Sequence, residues 1–444
     1  MNQPDDSNSI QRARKKVKVG SARVVSSLLA SVTLVGAVSL GVSWKLVDGV
    51  AQSVTPIASS TELKSLSAPI INARRNPQTL SQDVRFRTLR SQLTALGNRL
   101  PTDSCLIVDI EGQRIISVNA DASLLPASNM KLVVAMVALD VLTPEFVFST
   151  SLVGKVNGNA IEGDAYLIGG GDPLLVTGNY PVTEPYPTFN FTRFENLFDA
   201  LRSQGITQIR GSIVGDESRY DAERFSPSLG LGIKGTEVGP LGALMVNDGV
   251  ITGNPIKPDN PALGAATEFT NTLQNNGISV TGTPKVGTAP QDLSVIAKIN
   301  SLPLSDIVAE MLTNSDNNTA ELLVKELGFA TTGVGSREAG LEVMKAKLVE
   351  WGIPLDALTF VDGSGLDRGN RLTCSTLSAL LAKDGGFGPA GLGLAIAGQT
   401  GTLRDVLGDS LGAGKLRGKT GTLTGAKSLS GFVPYSVDQA SSFS

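Results

Sequence analysis

The longest run of apolar positions in the chain lies close to its N-terminus. Residues 24–44 contain no charged side chain, whereas residues 1–23 are rich in arginine and lysine. A helix that rises ~1.5 Å per residue would cross a hydrocarbon core over such a stretch, and the basic flank would stay in the cytoplasm. The pattern predicts a basic cytoplasmic tail and then a transmembrane anchor or a signal segment, with a small-x-small cleavage site at 49–51. A buried helix in a soluble domain is the alternative.

Residues 45–80 are rich in Ser, Thr, Ala and Pro and are predicted to be a linker. Beyond this linker, a β-hairpin is predicted at 104–118, because two strand-like runs flank the turn at 111–113. Glycine-rich strand candidates occupy 415–433. Apolar residues recur at helical spacing in five segments, which are 84–98, 129–141, 303–328, 336–351 and 373–384.

The interval 152–290 differs from the segments on either side of it. It holds short runs with β-branched residues that are separated by Gly, Asn, Asp and Pro, as in Gly169–Pro173. This pattern is typical of strands joined by turns and predicts a β-rich unit. The flanking segments, 81–151 and 291–444, combine predicted helices with predicted strands.

The absence of histidine among the 444 residues restricts the possible chemistry. It excludes Ser-His-Asp and Cys-His catalysis and histidine-ligated zinc, so an acyl-transfer reaction would need lysine as its main candidate base. We expect no metal and no cofactor. The net charge of −3 gives no reason to propose a nucleic-acid partner. Cys105 and Cys374 are expected to be buried thiols, with a single disulfide as the alternative.

A candidate nucleophile lies at the start of the apolar helix predicted at 129–141. Ser128 and Lys131 are three residues apart, so the amine can reach the hydroxyl on a helix. Residues 132–139 are all apolar, which predicts a helix that is buried on every side. A lysine in the first turn of such a helix would be desolvated, and its lowered pKa would let the amine act as a base. A surface lysine beside an N-cap serine is the alternative.

Two further short motifs could complete a site. Ser315–Asn317 follows the helical pattern at 303–312; its serine could pass a proton, and its amide could hold a substrate carbonyl. In Lys419–Thr422, the glycine would let a peptide backbone approach an edge strand, and the lysine and threonine could bind a terminal carboxylate. Taken alone, each motif would be interpreted as an ordinary turn.

The order of these elements changes that interpretation. A serine with a lysine three residues on, then Ser-x-Asn, then Lys-Thr-Gly is the order found in serine β-lactamases and penicillin-binding proteins. The chain resembles in particular the class C low-molecular-mass penicillin-binding proteins of the serine peptidase S13 family, which are D-alanyl-D-alanine carboxypeptidases and often also endopeptidases. The resemblance runs from about residue 84 to 433, with further motifs at 119–132, 169–173, 362–366, 401–403 and 419–425.

The resemblance implies a role for each site residue. Thr420 would bind the terminal carboxylate, and the backbone N–H groups of Ser128 and Thr422 would form the oxyanion hole. Arg368 would contact the side chain of the third stem residue, although a plain surface arginine is the alternative. The catalytic residues would be Ser128 as nucleophile, Lys131 as its base, Ser315 as a proton relay, Asn317 as the residue that orients the peptide and Lys419 as a source of positive potential.

The resemblance also implies a fold, partners and a location. The fold would be an α/β (α+β) fold of the serine β-lactamase/transpeptidase type, with an antiparallel sheet flanked by helices and a helical subdomain. Residues 81–151 and 291–444 would form this catalytic domain, and residues 152–290 would form an inserted β-rich domain. Peptidoglycan stem peptides would be the substrates, β-lactam antibiotics the inhibitors, and residues 24–44 the contact with the membrane. The protein would lie in the cell envelope outside the cytoplasm, either anchored or secreted.

The sequence leaves two alternatives open. Members of the family continue after the Lys-Thr-Gly strand with another strand and a C-terminal helix, whereas residues 434–444 show no helical pattern. A non-catalytic cell-wall-binding protein is therefore one alternative. A β-lactamase is the other, and the long interval between the first two motifs argues against it.

Overall fold

The computed structural model describes residues 77–444 except 179, 181–185 and 255. The predicted basic tail, the predicted anchor or signal segment at 24–44 and the predicted linker up to residue 76 lie outside this part. Among the helices of the described residues, none combines the length and the apolar character needed to cross a bilayer.

Helices and strands alternate along the described part of the chain. The helices are α1 (Pro77–Gly97), α2 (Met130–Val141), α3 (Glu195–Ser203), α4 (Pro261–Asn275), α5 (Leu304–Asn314), α6 (Asn317–Thr332), α7 (Arg337–Glu350), α8 (Cys374–Asp384) and α9 (Pro389–Leu392). The strands are β1 (Leu106–Ile110), β2 (Gln113–Val118), β3 (Ser149–Asn157), β4 (Ala160–Ile168), β5 (Leu175–Val176), β6 (Thr192–Arg193), β7 (Gln208–Ile209), β8 (Ile213–Asp216), β9 (Ser279–Val280), β10 (Lys285–Val286), β11 (Ser294–Asn300), β12 (Ala395–Ile396), β13 (Arg417–Leu423), β14 (Ala426–Pro434) and β15 (Ala440–Phe443).

A six-stranded sheet carries the last of the three motifs on β13. Its order is β12-β13-β14-β15-β1-β2, and each neighbouring pair is antiparallel. The predicted hairpin is confirmed as β1 and β2. The sequence analysis predicted no element within 434–444, but β15 lies there and pairs with both β14 and β1. A strand this short shows no recognisable sequence pattern. It forms because its backbone pairs with two strands that are distant in the sequence.

Helix α2 lies at the centre of the helical part of the molecule. The side chains of Val133, Val134 and Val137 have no exposed surface, and α2 packs against α5, α6 and α8. A helix that is apolar all round has to be covered on all sides, so the helix predicted at 129–141 is confirmed as a buried one. The surrounding core fixes the first turn of α2, where the candidate nucleophile and base lie.

The helical pattern predicted at 303–328 consists of two helices, with the turn predicted at Ser315–Asn317 between them. Helix α5 ends at Asn314, and the next residue, Ser315, caps it with a left-handed φ of 64°. Helix α6 follows because the carboxylate of Asp316 accepts a hydrogen bond from Thr319 N at 2.6 Å and so caps the new N-terminus. The second motif therefore lies at a sharp turn between two helices that both pack on α2.

A second sheet of seven strands is built from β3, β4 and β7–β11. The predicted β-rich interval thus contains a sheet, but the sequence analysis missed α3 and α4, which pack against β11 and β8. Helix α4 buries Ala262, Ala265 and Phe269 at helical spacing, and Asn260 caps it by accepting from Leu263 N. The division into an inserted domain at 152–290 and a catalytic domain around it stays a prediction.

Cys105 and Cys374 form a disulfide, so the expectation of two buried thiols is wrong. Cys105 immediately precedes β1, and Cys374 is the first residue of α8. The packing of α8 against β1 brings the two sulfurs together. Because 269 residues separate the cysteines, no local sequence signal pairs them.

Reduction of this disulfide is expected to destabilise the protein. The bond joins positions 269 residues apart, so its loss should lower the free energy of unfolding by about 2–5 kcal/mol. Urea unfolding with and without a thiol reductant measures the difference. The double variant Cys105→Ser/Cys374→Ser should not respond to the reductant, and an equal response in that variant would contradict the prediction.

Candidate active site

Ser128 lies in a tight turn that leads directly into α2. The turn spans Ala127–Asn129, and Ala127 adopts a left-handed φ of 48°. Glycines on both sides give this turn room: a Cβ at Gly365 would lie 1.9 Å from Ala127 O, and one at Gly421 would lie 3.0 Å from Ser128 N. The backbone of the turn is therefore packed between two other chain segments, which hold the Ser128 hydroxyl in one place.

Lys131 follows one turn later and has no exposed surface. Burial lowers the pKa of its amine to about 8, although the carboxylates of Asp362, Asp316, Glu321 and Glu237 act in the opposite direction. Desolvation dominates because it disfavours the charged form. A pKa near 8 leaves roughly a tenth of the amine neutral at pH 7, so a base is available under ordinary conditions.

Lys131 Nζ has three oxygen neighbours. It donates to Ser364 O at 2.6 Å, to Asn317 Oδ1 at 2.8 Å and to Ser128 Oγ at 3.1 Å. The carbonyl and amide oxygens can only accept, so in the neutral amine the two hydrogens stay on Ser364 and Asn317. The lone pair then faces the Ser128 hydroxyl, which is the geometry of a base that takes the proton of a nucleophile.

The second motif contributes the opposite wall of the site. Ser315 lies at the turn between α5 and α6, and Asn317 is the first residue of α6. The amide of Asn317 is held at both ends, since its Nδ2 donates to Glu237 O at 2.8 Å while its Oδ1 accepts from Lys131. The amide is therefore oriented before any substrate arrives.

The third motif places a second buried lysine beside the first. Lys419 on β13 has no exposed surface, and its Nζ donates to Thr420 O at 2.8 Å. Burial and the neighbouring Lys131 amine hold the pKa of Lys419 well below its usual value. The Thr420 hydroxyl donates to Thr402 Oγ1 at 2.8 Å. A carboxylate bound next to Lys419 would favour its protonated form.

A cleft of about 900 Å³ opens in front of Ser128. The two lysines lie beneath its surface, within the buried interior. Arg368 does not line this cleft; its guanidinium is exposed and donates to Thr424 O at 2.9 Å. The structure therefore brings all three motifs together, and the predicted site residues that line the cleft are Ser128, Ser315, Asn317, Thr420 and Thr422.

Several carboxylates of the site were missed by the sequence analysis. Glu237, Asp248, Glu310 and Asp316 also line the cleft, and they come from separate segments that the fold brings together. Burial raises the pKa of Asp316 to about 7 and that of Glu310 to about 7. The acidic residues around the Ser-x-Asn motif could have pointed to Glu310 and Asp316, although such a cluster is also typical of a solvated surface. Glu237 and Asp248 lie far from the motif in the sequence, and no local pattern marks them.

Comparisons with known proteins identify the family of the chain. The model of the D-Ala-D-Ala carboxypeptidase 3 (S13) family matches residues 97–254 and 242–444. A D-alanyl-D-alanine carboxypeptidase from an Actinomadura species is 28% identical over 73% of this chain and 73% of its own length. A carboxypeptidase of Mycobacterium tuberculosis is 30% identical over 72% of this chain and 70% of its own. The crystal structure of penicillin binding protein 4 from Haemophilus influenzae has a TM-score of 0.65 at 22% identity and covers 79% of this chain and 91% of that one.

The fold and the site define a serine-type hydrolase without a histidine base. The chain belongs to the D-Ala-D-Ala carboxypeptidase 3 (S13) family. The predicted family is thereby confirmed, and with it the predicted class of enzyme, a serine D-alanyl-D-alanine carboxypeptidase.

Proposed function

We propose that this protein hydrolyses the D-Ala-D-Ala bond of peptidoglycan stem peptides through an acyl-enzyme on Ser128. One observation carries the proposal: a fully buried Lys131 amine lies 3.1 Å from the Ser128 hydroxyl, and acceptor-only oxygens hold its other two N–H groups. The names of the Actinomadura and mycobacterial relatives support the reaction, since both are carboxypeptidases.

The reaction would proceed in two steps. Ser128 Oγ attacks the carbonyl carbon between the two D-alanines while its proton passes to Lys131, and the N–H groups of Ser128 and Thr422 stabilise the oxyanion. The C–N bond then breaks, and the amine of the leaving D-alanine receives a proton through Ser315. Water finally attacks the ester, which releases the shortened peptide and restores the hydroxyl.

Substrate binding would use the rest of the cleft. Thr420 and the protonated form of Lys419 would bind the C-terminal carboxylate, and Asn317 would hold a backbone carbonyl of the stem peptide. Arg368 would lie near the third stem residue only if that residue extends towards the turn at Thr424, which accepts its hydrogen bond.

The proposed location is the cell envelope, outside the cytoplasm. The Cys105–Cys374 disulfide supports it, because such bonds persist in oxidising compartments. Residues 24–44 would serve as the membrane anchor or as a signal segment.

Product analysis tests the function directly. We expect the full-length protein to release D-alanine from a pentapeptide ending in D-Ala-D-Ala, and to form a stable penicillin adduct on the peptide that contains Ser128. A cross-linked muropeptide in the same assay reveals endopeptidase activity. Rapid turnover of penicillin would indicate a β-lactamase, and correctly folded protein that releases no D-alanine would indicate a binding protein.

The pH dependence of acylation follows from the pKa of Lys131. Because the neutral amine is the base, the rate of penicillin acylation should rise about tenfold per pH unit below pH 8 and level off above it. The pseudo-first-order rate of labelling by a fluorescent penicillin measures this limb. A rate that is flat from pH 6 to pH 9, by about a factor of two or less, would contradict a lysine base with this pKa.

A further inference from the structure

We propose that Glu321 and Asp362 are positioning residues for the catalytic lysine: their carboxylates hold the chain segment that presents the carbonyl of Ser364 to Lys131 Nζ. This inference rests on the proposed function and adds the groups that keep the base oriented. Neither carboxylate lines the cleft, so neither would touch the substrate.

Glu321 acts on the peptide that precedes the carbonyl. It lies on α6 four residues after Asn317, so both side chains project from the same face of the helix. One carboxylate oxygen accepts from Gly363 N at 3.0 Å and from Ser364 N at 2.7 Å. Helix α6 thus carries two groups that orient the base. The amide of Asn317 contacts Lys131 directly, and Glu321 acts through Ser364.

Asp362 acts on the peptide that contains the carbonyl. Its Oδ1 accepts from Gly365 N at 2.8 Å, and Gly365 N belongs to the same peptide plane as Ser364 O. The same oxygen accepts from Asn370 Nδ2 at 2.7 Å, and Oδ2 accepts from Asp367 N at 2.7 Å. The plane whose oxygen contacts Lys131 is therefore fixed from its opposite edge.

Close packing leaves this segment little freedom to shift. A Cβ at Gly363 would lie 2.6 Å from the Val324 side chain, and one at Gly365 would lie 1.9 Å from Ala127 O. The segment is therefore wedged between α6 and the turn that carries Ser128. A displacement of the Ser364 carbonyl would leave one Lys131 hydrogen unpaired in a buried site, which is costly.

The two carboxylates also contribute to the charge around the base. Burial raises the pKa of Asp362 and raises that of Glu321 to about 7. From α7, the Arg337 guanidinium donates to Val361 O and to the Glu223 carboxylate. The hydrogen bond to Glu223 raises the pKa of Arg337, and the charges of Glu321 and Asp362 raise it further. The carboxylates of Asp362, Asp316, Glu321 and Glu237 raise the pKa of the Lys131 amine against its burial. Burial and the Lys131 amine together lower the pKa of Lys419.

The variant Glu321→Gln separates the charge from the geometry. Its amide oxygen can still accept from both N–H groups, but the negative charge is gone. Because that charge raises the pKa of Lys131, the rising limb of penicillin acylation should move to lower pH by up to about one unit. Glu321→Ala also removes the acceptor and should lower the plateau rate of acylation about 10–100-fold, because the base is no longer held in place.

Glu268→Gln is the matched control. Glu268 on α4 is also buried and accepts two hydrogen bonds from Thr252, but it lies on a helix that packs against the second sheet. This variant should keep the wild-type pH limb whatever happens to its unfolding temperature. A Glu321→Gln limb that coincides with the wild-type limb would contradict the contribution of the charge. A folded Glu321→Ala protein that keeps the wild-type plateau rate would overturn the proposal, because the Ser364 carbonyl would then not need the carboxylate to stay in place. Wild-type protein that is not acylated at any pH would instead overturn the proposed function and, with it, this proposal.

Discussion

Replacing Ser128 with alanine is expected to abolish penicillin attachment and to lower D-alanine release by roughly 10⁴-fold or more. The hydroxyl oxygen is the atom that bonds to the substrate carbonyl, so its loss removes the acyl-enzyme step itself. Lys131 keeps its contacts with Asn317 and Ser364, and the fold should be unaffected. Gel-based detection of a fluorescent penicillin and an assay for free D-alanine measure the two losses.

Ser123→Ala is the control for that experiment. The Ser123 hydroxyl donates to Ala357 O at 2.7 Å and does not line the cleft. Penicillin labelling of this variant should equal that of the wild-type protein. Undiminished labelling of Ser128→Ala would rule out Ser128 as the nucleophile.

Replacing Lys131 with methionine should have the second-largest effect, a fall of about 10²–10⁴-fold in the rate of acylation. Methionine has a similar length and suits the buried position, but it cannot accept the serine proton. The nucleophile stays in place without its base, so a small residual rate should persist and should lose the limb near pH 8. Labelling kinetics across pH measure both changes.

Lys345→Met is the control that tests whether replacing a lysine outside the site also slows penicillin labelling. Lys345 lies on α7, away from the cleft, and pairs with Glu342 at 2.7 Å. Its labelling rate should match the wild-type rate, and circular dichroism should show that Lys131→Met remains folded. A folded Lys131→Met protein that is acylated at the wild-type rate would contradict the assignment of Lys131 as the base.

Much of the site could be predicted because its chemistry is local in the chain. Ser128 and Lys131 lie one helical turn apart, and the apolar residues after them predict a buried helix, which the structure contains. The turn at Ser315–Asn317 and the strand at Lys419–Thr422 are also short, continuous motifs. The structure brings these three elements around one cleft, as the prediction required.

Features that depend on distant pairing could not be predicted in the same way. The disulfide joins residues 269 positions apart, and β15 exists only because it pairs with β14 and β1. Helices α3 and α4 were missed because they lie in a stretch that was interpreted as short strands separated by turn residues. In each case, the feature depends on the packing of elements that are remote in sequence, and this packing overrides the local sequence pattern.

By itself, the sequence determined the type of chemistry: a chain without histidine in which a lysine lies three residues after a serine, on a helix that has to be buried. Only the tertiary structure decided which way the lysine's lone pair points. The two oxygens that take its hydrogens belong to residues 186 and 233 positions away. The carboxylates that hold the Ser364 carbonyl come from segments that meet only in the folded core. The burial that lowers the pKa of Lys131 also exists only there, because desolvation and hydrogen-bond geometry depend on distances in space.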